Sequence, residues 1–240
     1  MKNSRLLYSI TALFGLMVLF GSVVPANATP TLEIKLHVSG VTPSVPDQTC
    51  RDENPSCDGF SGTLGDIYWD TSIGPFTTQV TYGLSKGDLL TDTFIDLNVS
   101  KTFGGPGTID IWLTDTDFLS PIGSVNFLTA WGGTQHTGDE STLSSFADTS
   151  NAPYGTGIPL SSFGPKTDIS FNDDQVVNRS GLTSPYSLTL HWQITSSGAD
   201  HLTTGDANIS IPTPEPSSLL LLGTGFMGLG FWGYSLFRRR

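Results

Sequence analysis

Basic side chains are scarce in this 240-residue sequence, with 11 Lys and Arg against 22 Asp and Glu. So acidic a surface repels nucleic acid and anionic lipid, which makes both poor candidates as partners. Cysteine is scarcer still: Cys50 and Cys57 are the only two. Metal ligation by them would need two more soft or imidazole ligands, and no histidine lies within ten residues. In an oxidising compartment, with Pro55 bending the chain between them, the pair instead predicts a local disulfide. Between the two ends no window of eleven or more residues has a 3.6-residue apolar period, which excludes crossover helices and a parallel sheet. There is no repeat of fixed period and no low-complexity linker between domains. No Gly-x-Ser-x-Gly elbow, His-Glu-x-x-His or Walker-type loop occurs. The four histidines do not supply one in disguise. His37 and His191 fall on polar faces of predicted strands, and His136 and His201 are expected in loops without partners.

What is present begins at the two ends. Lys2 and Arg5 precede a largely apolar stretch, 6–24, and Ala26-Asn27-Ala28 supplies the small residues that a signal peptidase reads. Cleavage is expected after Ala28. At the other end, residues 217–237 carry no charge and would form a helix of about 32 Å, enough to cross a bilayer. Arg238, Arg239 and Arg240 hold its far end in the cytoplasm, so everything before it is expected outside. With the ends set aside, residues 29–211 retain 6 basic and 21 acidic groups, a formal charge of −15.

Pro214-Glu215-Pro216, an apolar span and a basic tail, in that order over residues 212–240, resemble the PEP-CTERM sorting signal of Gram-negative bacteria. The resemblance implies recognition by an exosortase, a membrane-embedded cysteine transpeptidase, with cleavage near the Pro-Glu-Pro motif. It also implies a route: export through the inner membrane, transient anchoring there by the C-terminal helix, then the cell surface or the exopolysaccharide matrix. A common form of the signal has Val before the first proline, where this chain has Thr213. The expected organisation is therefore a signal peptide (1–28), one ectodomain (29–211) and the sorting signal (212–240), the last made of motif 214–216, helix 217–237 and tail 238–240.

Period-two alternation dominates the ectodomain. Leu32, Ile34, Leu36 and Val38 share one face, as do Tyr186, Leu188, Leu190, Trp192 and Ile194. Weaker runs include Ile67 and Trp69; Phe76, Val80, Tyr82 and Leu84; Ile95, Leu97 and Val99; and Ile109, Ile111 and Leu113. Others are Val125, Phe127 and Trp131; Ile169 and Phe171; and Ala207, Ile209 and Ile211. Some nine strands, each with one apolar face, predict an all-β antiparallel β-sandwich of jelly-roll or immunoglobulin-like type. Segments 42–63 and 135–166 are expected to be long loops.

Two kinds of candidate site follow. Asp115 and Asp117, after a strand expected to end at Leu113, could offer hard oxygen ligands to calcium; no other cofactor is expected. Asp173-Asp174 is a similar strand-end pair, and Asp139-Glu140 beside His136 is expected to be a solvated loop tip. Trp112 lies on the polar side of its strand, where an indole can stack on a sugar; Tyr68 shares that outward phase, whereas Trp69, Trp131 and Trp192 fall in the core phase. The leading functional expectation is a non-enzymatic envelope or matrix protein, structural or adhesive in exopolysaccharide, biofilm or floc. Its expected partners are signal peptidase, exosortase, the inner membrane and exopolysaccharide. The alternatives are a carbohydrate-binding module, calcium-assisted or not, and a secreted hydrolase, which would need a loop-borne acid/base pair in a cleft.

Overall fold

The computed structural model describes residues 32–85 and 93–212, so the signal peptide, its Ala26 and Ala28, and the sorting segment with its motif, span and arginines lie outside the described residues. These form an all-β fold with no helix. The strands are β1 (Glu33–Ser39), β2 (Gln48–Arg51), β3 (Asp66–Ile73), β4 (Phe76–Ser85), β5 (Phe94–Gly104), β6 (Gly107–Phe118), β7 (Gly123–Thr134), β8 (Glu140–Asp148), β9 (Ile158–Lys166), β10 (Ser170–Leu182), β11 (Tyr186–Ser196) and β12 (Ala199–Ser210). They make two six-stranded antiparallel sheets, ordered β2-β1-β6-β11-β8-β9 and β10-β7-β12-β5-β4-β3.

Alternation explains the packing. Ile34, Leu36 and Val38 of β1, Ile109, Ile111 and Leu113 of β6, and Leu188, Leu190, Trp192 and Ile194 of β11 are all buried and point at the second sheet. That sheet answers with Ile95, Leu97 and Val99 of β5, Phe127 and Trp131 of β7, and Ala207 and Ile209 of β12. At the middle of one end Trp131, Trp192 and Phe171 form an aromatic knot, with Trp131 and Trp192 edge to face at 5.9 Å. Two glycines make room for it. A Cβ on Gly205 would stand 2.6 Å from Trp192, and one on Gly133 2.9 Å from Phe171, distances that real Cβ atoms essentially never show.

Strands β2, β8 and β9 were not expected, and the last two replace the predicted loop 135–166. In β8 and β9 serines share the inward positions with apolar residues, which breaks the apolar alternation that would have announced a strand. On β8 these are Ser141, Leu143, Ser145 and Ala147, all buried. Ser145 Oγ meets Thr129 Oγ1 of the facing sheet at 2.9 Å and Ser161 Oγ of β9 at 2.6 Å, so hydroxyls satisfy one another where side chains of the two sheets meet. Strand β12 starts at Ala199 rather than near Ala207 for the same reason, its early inward residues being Thr203 and Gly205. Strand β6 continues past Leu113 to Phe118, so Asp115 and Asp117 lie within it. Asp173 and Asp174 likewise lie inside β10.

In β4 the expected single face is broken by a register shift between Val80 and Tyr82. Such a bulge reverses the phase. Phe76 points inward before it; Gly83 and Ser85 point inward after it, leaving Tyr82 and Leu84 outward. Cys50 and Cys57 form the expected disulfide, with Cys50 buried at the edge of the core. By chain entropy a loop this short contributes about 2–3 kcal/mol.

Candidate functional site

The outer face of the first sheet gathers the unusual side chains. Register places Thr49, Lys35, Trp112, His191, Ser144 and Ser162 side by side across β2, β1, β6, β11, β8 and β9. Two residues along, His37, Asp110, Gln193 and Thr142 form a parallel row. On the other flank lie Glu33, Thr114, Thr189 and Phe146. At about 4.8 Å between strands, the six-strand row is about 24 Å wide.

Trp112 points outward, as its phase predicted, but it is clamped. The His191 ring stacks on it at 3.7 Å with planes 9° apart. From the strand on the other side, Lys35 holds its ammonium 4.9 Å from the indole centre and 4.4 Å from that of Tyr154, whose ring meets Trp112 edge-on. Both faces of the indole are thus occupied, and the ring offers its edge rather than a flat stacking platform. Tyr68 is half-buried, its ring tilted against Phe60 at 5.4 Å. Trp69, Trp131 and Trp192 are buried.

The polar groups of this face are held in place. Asp110 Oδ1 accepts from His191 Nε2 at 2.8 Å and from Gln193 Nε2 at 2.9 Å. Burial pushes the Asp110 carboxyl up, but the two hydrogen bonds and the neighbouring histidines outweigh it and hold it below the usual carboxylate range. Neither His37 nor His191 is bare: His37 Nδ1 lies 2.7 Å from Asp47. Glu33 pairs with Arg51 and accepts from the Tyr154 hydroxyl at 2.6 Å. Burial first, then that carboxylate, push the Tyr154 phenol far up.

Tyr154 arrives on the connection between β8 and β9, which lies across the end of the face like a strap. Asn151 exchanges two hydrogen bonds with Asp117, at 2.8 and 2.7 Å. Ser187 Oγ donates to Ala152 O at 2.8 Å, and Tyr154 N donates to Thr114 Oγ1 at 3.1 Å. Asn151 and Tyr154 both have positive φ, 57° and 56°, a conformation that for a tyrosine persists only where its surroundings enforce it.

The calcium candidates are engaged separately. Asp115 is buried, accepts from Ser85 Oγ of the facing sheet and takes Thr116 N at 2.8 Å. Asp117 is occupied by Asn151 and by Thr116 Oγ1. Among the described residues no three His, Cys, Asp or Glu side chains are grouped as a metal site.

Two clusters were read differently in the sequence. His201 lies on β12, not in a loop, and it has a partner: Asp139 Oδ1 at 2.8 Å. Asp139 is fully buried rather than a solvated tip, because distant Ser197 and His201 close over it. On the outer face of the second sheet, Asp96 and Asp206 are neighbours on β5 and β12, flanked by Tyr82 and Asp66. A cleft lined by Val41, Pro43, Val45, Pro75 and Pro106 contains no titratable lining residue.

No family model and no curated protein sequence matches this chain. Among solved structures it is similar to the C-terminal CBM6 of LamC, a marine laminarinase from Zobellia galactanivorans, at 12% identity and a TM-score of 0.27, over 59% of this chain and 92% of that one. TmCBM61, solved with β-1,4-galactotriose, is similar at 11% identity and a TM-score of 0.28, over 58% and 90%. The enzymatically active domain of tailspike protein 4 from bacteriophage CBA120 is similar at 13% identity and a TM-score of 0.32, over 62% of this chain but only 19% of that one. These overlaps carry no residue role across to this chain.

Proposed function

We propose that the chain is an exported, non-catalytic protein of the cell envelope or extracellular matrix that holds polysaccharide on the outer face of its first sheet. The supporting observation is the row Lys35-Trp112-His191-Ser144-Ser162 and its neighbours Asp110, Gln193 and Thr142. Such a surface is wide, open and rich in fixed hydrogen-bonding groups around an aromatic edge. That suits an extended, hydroxyl-rich polymer better than a small molecule, which needs a concave pocket. Because both faces of Trp112 are taken, recognition here rests on hydrogen bonds to sugar hydroxyls, with the aromatic edges as apolar filling.

Delivery follows the terminal segments. The signal peptide starts export, residues 217–237 stop transfer, and an exosortase reads Pro214-Glu215-Pro216 and releases the protein into the exopolysaccharide layer. Glu215 is the charged handle between two prolines that keep the site extended.

The binding test is titration of the purified protein with the producer's own exopolysaccharide, followed by tryptophan fluorescence. His191→Ala and Gln193→Ala should each weaken binding about five- to tenfold, the loss expected for one hydrogen bond. Unchanged affinity in both would move binding off this face. Sorting is tested separately by the size and cell fraction of wild type and Glu215→Ala, with and without the host's exosortase. Identical processing in all four samples would reduce the tail to a plain anchor.

A further inference from the structure

At the end of the sandwich from which the chain leaves toward residues 217–237, large apolar side chains stand exposed beside polar groups that turn inward. In the connection from β2 to β3, Asp58 is only 3% exposed, while Phe60 and Leu64 are 45% and 47% exposed. The aspartate is turned inward by three backbone donors, Glu53 N, Phe60 N and Tyr68 N, at 2.9–3.1 Å. Asp52 is also turned in, accepting from Gly65 N at 2.7 Å. The connection from β6 to β7 repeats the arrangement. Its polar Ser120 carbonyl faces inward to the hydroxyls of Thr93 and Tyr186, while Leu119 and Ile122 stand 59% and 61% exposed on either side. A buried carboxylate in one connection and an inward carbonyl in the other leave Phe60, Leu64, Leu119 and Ile122 as the large apolar side chains exposed at this end.

Both connections sit beside the exit strand. Ser210 of β12 pairs with Phe94, the neighbour of Thr93, which bonds Ser120. Ser85 pairs with Ile95 and donates to Gly65 O at 2.8 Å, next to Leu64. From Pro212, the last described residue, five residues lead to Ser217, a reach of at most about 18 Å. If residues 217–237 span a bilayer, this end of the sandwich is held against it.

We propose that Phe60, Leu64, Leu119 and Ile122 rest in the interfacial layer of the bilayer that carries the C-terminal segment, docking the sandwich while it awaits release. This rests on the reading of 217–237 as a membrane anchor. The partner is a zwitterionic phospholipid surface, since an ectodomain charge of −15 disfavours anionic lipid. A short tether gives the contact an effective concentration on the order of millimolar, so a few apolar side chains suffice. Docking places the Pro-Glu-Pro segment at the membrane surface and turns the exit strand toward it. Cutting the tether removes the effective concentration, so the released protein leaves the membrane.

The two native cysteines are joined, so a single introduced thiol can be labelled. The full chain carrying Ile122→Cys, with Ile169→Cys at the opposite end as the control, is spin-labelled and placed in phosphatidylcholine nanodiscs. At position 122 the label should become several-fold less accessible to a water-soluble nickel chelate and more accessible to oxygen, with no change at 169. Equal accessibility at both positions in disc-bound protein overturns the docking alone. A chain that does not enter the discs overturns the anchor reading and the docking together. Shielding at 122 that grows with protein concentration, or that needs a co-purified membrane protein, overturns lipid docking in favour of a protein contact.

Discussion

His201 Nδ1 lies 2.8 Å from Oδ1 of Asp139, a carboxylate with no exposed surface, and the two residues tie together two of the connections that cross between the sheets, β7 to β8 and β11 to β12. Asp139 sits between β7 and β8, and His201 follows the turn from β11 to β12. The same oxygen accepts from Ser197 N at 3.0 Å, and the His136 ring stacks on His201 with centroids 3.6 Å apart.

Removing that carboxylate should therefore loosen two crossovers at once. Asp139→Ala strands the Ser197 N–H and the His201 ring N–H, and should cost about 1–3 kcal/mol. Asp139→Asn keeps an acceptor at Oδ1 and should cost less. Urea unfolding of both variants checks this. Equal losses would mean that charge, not the acceptor, holds the site.

Gly205→Ala should be among the most damaging methyl additions in the molecule. Its Cβ would meet Trp192 at 2.6 Å and lie closer still to the Gly132 carbonyl oxygen, which belongs to the next strand and cannot rotate away. Overpacking of this kind costs about 1–3 kcal/mol or more. The aromatic knot of Trp131, Trp192 and Phe171 should lose its near-ultraviolet circular dichroism even where the protein still folds. Gly40→Ala, where nothing lies within 4 Å but φ is 77°, separates backbone strain from collision and should cost less.

Most of the architecture was legible because long strands such as β1 and β11 alternate cleanly. What was lost was lost to chemistry that alternation does not encode. Strands β8 and β9 bury serines that satisfy one another through Thr129, Ser145 and Ser161 between apolar Leu143, Leu160 and Phe163, so the apolar alternation is interrupted while the strands remain. A bulge in β4 turned Tyr82 and Leu84 outward, which no count of apolar residues foretells. At the site, the outward phase of Trp112 could be read from Ile111 and Leu113. Its clamp could not. Lys35 and His191 reach it only through the strand order β1-β6-β11, and Tyr154 only through the strap held by Asp117 and Thr114. Burial of Asp139 likewise depends on residues that the fold, not the sequence, brings near.

The pair Asp96 and Asp206 gives a prediction with a defined pH window. Burial first, then a shared hydrogen bond and the charge of Asp206, push the Asp96 carboxyl up to about 7, and its Oδ1 has no hydrogen-bond partner among the described residues. A carboxyl whose folded value is raised leaves stability intact below its unfolded value, near 3.8, and costs stability as pH climbs toward the folded value. Above about 7 Asp96 is ionised beside Asp206, and the cost is constant. Asp96→Asn keeps the shape and cannot ionise. It should match wild type near pH 4, pull ahead between pH 4 and 7, and hold a constant lead beyond. Partial exposure of the pair discounts the full linkage value, leaving about 1–2 kcal/mol. For a domain of this size that is about 3–6 °C in Tm. Asp52, pushed up to about 6 chiefly by its own burial, bends the wild-type curve in the same direction but is common to both proteins, so it cancels from the difference. A Tm difference that stays flat from pH 4 to 8 would show that the two carboxylates do not ionise against each other, and the acidic face of the second sheet would then be simply solvated.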